Sequence, residues 1–122
     1  MYRKASMIAL AIASICAMPT LAEAHPELKG TAPVANSSAK APEEIRLKFS
    51  EGLIVKLSGA DVKDQSGKPV ETAQASTALN DKKQLIIPLK SRLTAGRYTV
   101  DWHAVSEDTH RVKGSFSFTV EP

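Results

Sequence analysis

Beyond residue 25 the apolar positions of this chain recur with a period of two, in short runs separated by turn residues. Ile45, Leu47 and Phe49 alternate with Arg46 and Lys48, and Leu53, Val55 and Leu57 alternate with Ile54, Lys56 and Ser58. Residues 85–89 form a compact apolar run broken by Pro88, which has no amide to donate and so suits a strand end or an edge. Tyr98, Val100, Trp102 and Ala104 share one parity, as do Phe116, Phe118 and Val120. Side chains two apart on a strand stand on one face, so each set predicts a strand with a single buried face. Ser66, Gly67, Lys68 and Pro69, then Asn80 and Asp81, then Thr94, Ala95 and Gly96 carry the turn chemistry between these runs. The Ala- and Ser-rich stretch 32–41, with Pro33 near its start and Pro42 just beyond it, reads as a loop between the first two strands. About seven short strands in about 98 residues predict an all-β chain folded as one Greek-key β-sandwich, with no second domain or internal repeat.

The first 24 residues have a different character. Arg3 and Lys4 precede a stretch from 5 to 18 that is apolar except for Ser6 and Ser14; Pro19 breaks it, and Ala22, Glu23 and Ala24 give a small-x-small ending. That is the order of parts in a secretory signal, and an apolar run of about 14 residues falls short of the roughly 20 that span a bilayer. The chain therefore divides into a signal, 1–24, and a domain, 25–122, with no membrane insertion after cleavage. Cleavage removes Arg3, Lys4 and Glu23 from 16 basic and 13 acidic residues, leaving 14 and 12, a net charge of +2 over 98 residues. So balanced a surface gives no case for nucleic acid or an anionic membrane as partner. Cys16 and all three methionines, Met1, Met7 and Met18, fall in the signal. The mature chain thus has neither disulfide nor sulfur ligand, and its imidazole, amine and carboxylate groups suit Cu(II), Ni(II) or Zn(II).

Cleavage after Ala24 makes His25 the first residue, so that its α-amine and imidazole can chelate one ion. Both groups in their free forms titrate close enough to neutrality to yield their protons to a metal. Pro26 has no backbone N–H, which bars an amide ligand at position two and requires the remaining ligands to come from elsewhere in the fold. Asp108 and His110 are the natural suppliers: in an extended segment they point to one side, roughly 6.5 to 7 Å apart, while Thr109 points away. Two nitrogens from His25, one from His110 and an oxygen from Asp108 make a tetragonal set that favours Cu(II), one ion per chain. His103 has the parity opposite to Trp102 and is expected to face solvent, with access at most to the periphery of the site. Glu51, just past the Phe49 strand, is a hydrogen-bond candidate toward a ligand if that strand end lies beside the N-terminus.

Taken together, these residues resemble the CopC family of periplasmic copper-binding proteins. The resemblance covers nearly all of the mature chain: His25, Pro26 and Leu28; the run Ile45, Arg46, Leu47, Lys48, Phe49, Ser50, Glu51; Gly96 and Tyr98; and Trp102, Val105, Ser106, Asp108, His110, Gly114, Phe116, Phe118 and Val120. It implies an immunoglobulin-like sandwich in the periplasm with a Cu(II) site at one end, His25, Asp108 and His110 as ligands and Glu51 beside them. Some members carry a Met-rich loop that binds Cu(I) at the opposite end, whereas 66–80 here contains no Met. The resemblance therefore implies a single-site, non-enzymatic Cu(II) carrier or buffer for copper resistance and homeostasis, with a membrane partner of the CopD type. Two other classes stand beside it. A small copper oxygenase also uses an N-terminal histidine on a β-sandwich, but Asp108 would fill the position that oxygen needs, and the chain is short and poor in aromatics. A metal-free interaction sandwich would make all three histidines incidental.

Overall fold

The structure, a computed structural model, describes residues 25–122; residues 1–24, expected from the sequence to be a secretory signal, lie outside the described residues. In strand β3 (Glu44–Phe49) the alternation works as expected, with Ile45, Leu47 and Phe49 buried. Strand β7 (Asp81–Pro88) places Leu85 and Ile87 beside them, and β1 (Leu28–Ala32) and β6 (Ser76–Ala78) complete a sheet in the order β1-β3-β7-β6. A second sheet runs β2-β9-β8-β4-β5, from β2 (Ser38–Ala39), β9 (Arg111–Val120), β8 (Gly96–Val105), β4 (Gly59–Asp64) and β5 (Pro69–Val70). Its inner face presents Val62, Tyr98, Val100, Trp102, Ala104, Phe116, Phe118 and Val120 to the first sheet. The result is an immunoglobulin-like β-sandwich of two sheets over one core. Each large side chain moved from water into that core contributes about 1.5–3 kcal/mol, which is how a domain without disulfides holds together.

The long β8–β9 pairing runs without a break from Gly96↔Val120 to Val105↔Arg111. Phe118 stacks on Tyr98 at 5.8 Å, and the Tyr98 hydroxyl donates to Thr94 O at 2.8 Å, fastening the chain's entry into β8. At the β4–β5 turn, Asp64 Oδ1 accepts from the Ser66 amide, the Ser66 hydroxyl and the Lys68 amide, while Gly67 takes the left-handed conformation (φ 84°) the turn requires.

Three local expectations are corrected. Leu53, Val55 and Leu57 do not share a strand: Leu53 forms an isolated bridge with Ser106, and Val55–Leu57 is a single 3-10 turn with Leu57 46% exposed. This segment crosses from one sheet to the other, the Leu53 amide bonding to Lys82 O (3.0 Å) in the first and the Ile54 amide to Val105 O (2.8 Å) in the second. The stretch 32–41 is not all loop, because Ser38 and Ala39 pair in parallel with Thr119 and Val120. Those short strands bring the number among the described residues to nine rather than about seven. Pro88 ends β7, as expected of a residue without an amide, but β7 is an interior strand between β3 and β6.

Candidate metal centre

One end of the sandwich gathers the C-terminal ends of β3 and β8, the start of β9 and the segment leading into β1. Pro26 is buried, and the next residue is held by reciprocal bonds to Ser50: the Ser50 amide donates to Glu27 O and the Glu27 amide to Ser50 Oγ, both at 2.8 Å. Together these place the exposed His25 over the end of the second sheet. Its ring lies 5.5 Å from that of His110, nearly perpendicular at 82°. Two imidazoles 85 residues apart in sequence therefore meet edge to face.

His110 reaches this position by a turn, not by the extended segment expected of 108–110. The Ser106 amide donates to His110 O (2.9 Å), the Thr109 amide to Ser106 O (2.8 Å), and Thr109 adopts a left-handed φ of 69°. The turn brings Asp108 and His110 to one side by folding the chain: Asp108 Oδ2 is 3.2 Å from His110 Nδ1, and both side chains are about half exposed. Thr109 is exposed and points its hydroxyl to Asp108 O. Beneath the pair the wholly buried Ser106 donates its hydroxyl to Asp108 Oδ1. That bond, followed by the His110 ring and amide, holds the Asp108 carboxyl below the usual carboxylate range, so it is an anion at any pH near neutrality.

His110 Nδ1 is shielded from solvent and makes no hydrogen bond among the described residues; Asp108 Oδ2 lies 3.2 Å from it. An unpartnered, shielded imidazole nitrogen beside a fixed carboxylate and a second imidazole is a donor set that fits a divalent copper ion. Among the described residues no three His, Asp or Glu side chains already form a closed cage. His25, Asp108 and His110 are neighbours, not a preformed polyhedron.

Of the remaining candidates, Glu51 is half-buried and follows Ser50, so the end of β3 does lie beside the N-terminal segment; no hydrogen bond or ion pair joins its carboxylate to His25, Asp108 or His110 among the described residues. His103 is exposed, as its parity predicts, and packs over Gly59, where an added Cβ would be 3.3 Å from its Cε1. It is not brought to His25. Sequence reasoning gave Ser106 no role of its own; its position two residues before Asp108 was the available signal. A surface pair, Lys82 Nζ to Glu107 Oε1 at 3.4 Å, links the β8–β9 turn to β7.

A family profile described as the CopC domain matches residues 28–121. Copper resistance protein C of Escherichia coli is 45% identical over 108 residues, 82% of this chain and 84% of its own length. Protein YobA of Escherichia coli strain K12 is 40% identical over 114 residues, 93% and 92% of the two chains. The crystal structure of PcoC, a methionine-rich copper resistance protein from Escherichia coli, superposes with a TM-score of 0.74 at 45% identity, over 80% of this chain and all of that one.

Proposed function

The chain belongs to the CopC family, and from that premise we propose that its mature form is a periplasmic carrier or buffer holding one Cu(II) through the amine and imidazole of His25, the Asp108 carboxylate and the His110 imidazole. Members of this family are copper-binding resistance proteins, not enzymes. The observation that carries the reading is the meeting of His25 and His110 at 5.5 Å above a carboxylate that is ionised and fixed. Copper here is cargo. The chain's own contribution is to hold two imidazoles and a carboxylate on two pieces of backbone: the anchored residues 26–27 and the β8–β9 turn, with Ser106 buried in it.

The ligand classes support Cu(II) over Cu(I). One relative of known structure, PcoC, is described as methionine-rich, whereas residues 25–122 contain neither Met nor Cys. Imidazole, amine and carboxylate favour the tetragonal divalent ion, and soft sulfur ligands favour the monovalent one. Delivery to a membrane partner of the CopD type follows from the family resemblance and from a half-exposed site able to hand over its ion. No helix among the described residues is long and apolar enough to cross a membrane.

The test is intact-mass analysis of the protein recovered from the periplasm, with and without Cu(II). It should weigh as residues 25–122 and gain one copper. His110→Ala, and a variant with one residue inserted before His25, should each weaken Cu(II) binding sharply; unchanged titrations for both would sink the proposal.

A further inference from the structure

We propose that the Ser106 hydroxyl is a positioning group that fixes the Asp108 carboxylate for one metal ion, an inference that rests on the Cu(II) site proposed above. Ser106 is the only wholly buried residue of the β8–β9 turn, with 0% of its surface exposed, while the Asp108 and His110 side chains above it are 48% and 42% exposed. A buried hydroxyl must find its hydrogen bonds within the protein. Every bond that this hydroxyl makes among the described residues goes to the two candidate ligand residues: it donates to Asp108 Oδ1, accepts the His110 amide at 3.3 Å and lies 3.4 Å from His110 O.

This arrangement divides the work at Asp108 between its two oxygens. Oδ1 is occupied by Ser106 and Oδ2 faces His110 Nδ1 at 3.2 Å, so the carboxylate is held in one orientation with one oxygen on the side of the imidazoles. Most of the turn's backbone bonding is independent of the hydroxyl, because the Ser106 amide bonds to His110 O and the Ser106 carbonyl accepts the Thr109 amide, leaving only the 3.3 Å bond from the His110 amide to depend on it. Removing the oxygen therefore frees the carboxylate while most of the turn's own bonds remain. Partners that orient a metal's ligands are commonly worth about 10- to 100-fold in affinity.

The experiment is a double-mutant cycle on Cu(II) affinity with Ser106→Ala, Asp108→Ala and the pair, measured by competition with a chelator, together with the melting temperature of each metal-free protein. S106A should bind Cu(II) about 10-fold more weakly in the parent background. In the D108A background the same change should have an effect of less than about twofold, because the group that Ser106 orients is gone. The Cu(II) paramagnetic resonance spectrum of S106A should move toward that of D108A. Parental affinity in S106A overturns the inference, and so does a loss undiminished in the D108A background. A metal-free S106A that no longer folds assigns the hydroxyl to the turn and overturns it too. If D108A and H110A themselves bind Cu(II) like the parent, it is the Cu(II) site that fails, an outcome distinct from the failure of Ser106 alone.

Discussion

The indole of Trp102 lies across Gly114 of the neighbouring strand, so close that a Cβ added to the glycine would stand 2.5 Å from Cζ2 and 2.9 Å from Cε2. The two residues are directly opposed in the β8–β9 register, and Phe49 of the facing sheet meets the same indole edge-on at 5.3 Å. The ring is thus held between a glycine that leaves room for it and a phenylalanine that fills the other side.

Gly114→Ala should accordingly destabilise the domain by about 1–3 kcal/mol, the usual cost of forcing extra volume into a packed core. Thermal unfolding followed by far-ultraviolet circular dichroism, which does not depend on the indole, measures it. Adding Trp102→Phe to G114A should recover part of the loss, since the smaller ring vacates the contested space. A midpoint for G114A equal to the parent's would contradict this account of the contact.

Thr109 is a β-branched residue at φ 69°, in a region such side chains rarely adopt. Asn tolerates that conformation much better, so Thr109→Asn should raise stability by roughly 1 kcal/mol, less whatever the hydroxyl bond to Asp108 O contributes. The check is urea unfolding of the metal-free protein; a lower midpoint would mean that this bond outweighs the strain.

Acid should unfold the protein through a few identified carboxylates. Glu27, Asp64, Asp81 and Asp108 are all held below their ordinary range, Asp64 chiefly by the Ser66 hydroxyl and the Lys68 amide. A carboxyl with a depressed folded-state pKa stabilises the fold above its unfolded value, near 3.9 for Asp, and loses that contribution as pH falls through the lower folded value. Stability should therefore be insensitive to these groups from pH 7 to about 5 and fall below about 4. Asp64→Asn should be less stable than the parent at pH 7, with the gap narrowing by pH 3; a constant gap would remove Asp64 from the acid response.

The elements read correctly from sequence are those in which one face alone is buried. Along β3, β8 and β9 a shift of one residue would turn Ile45, Trp102 or Phe118 toward water, so the period of two is forced and visible. The 53–57 segment carries the same period for another reason. Leu53 belongs to the core, Val55 packs against it and Leu57 stays exposed, as the chain changes sheets. No local pattern separates that from a strand. Strand β2 rests on pairing with the distant Thr119 and Val120, which an Ala- and Ser-rich stretch does not announce. At the candidate metal centre the convergence of His25 and Asp108 on His110 was legible, because imidazole and carboxylate are the side chains whose chemistry points to a metal. The turn at 106–110 and the hydrogen bonds of Ser106 were not, because a buried serine leaves no chemical signature in a sequence and its meaning comes from where its hydroxyl is enclosed.

The absence of sulfur has a redox consequence that separates this chain from a methionine-rich relative. With residues 25–122 free of Met and Cys, the ligands left for copper are nitrogen and oxygen, which lose their advantage once the ion becomes Cu(I). Reducing the copper-loaded protein with ascorbate under anaerobic conditions in the presence of a Cu(I)-specific chelator should transfer the metal completely, whereas the same chelator without ascorbate should leave it bound. Lowering the pH acts on the donors of the proposed site by another route: an amine and imidazoles must shed protons to bind, so Cu(II) affinity should fall below about pH 6, with the Asp108 carboxylate still ionised there. If the reduced protein instead retained copper against the chelator, Cu(I) would have to be held by the imidazoles alone. The pair His25 and His110, 5.5 Å apart, would then be the place to look, with His25→Ala the variant that decides it.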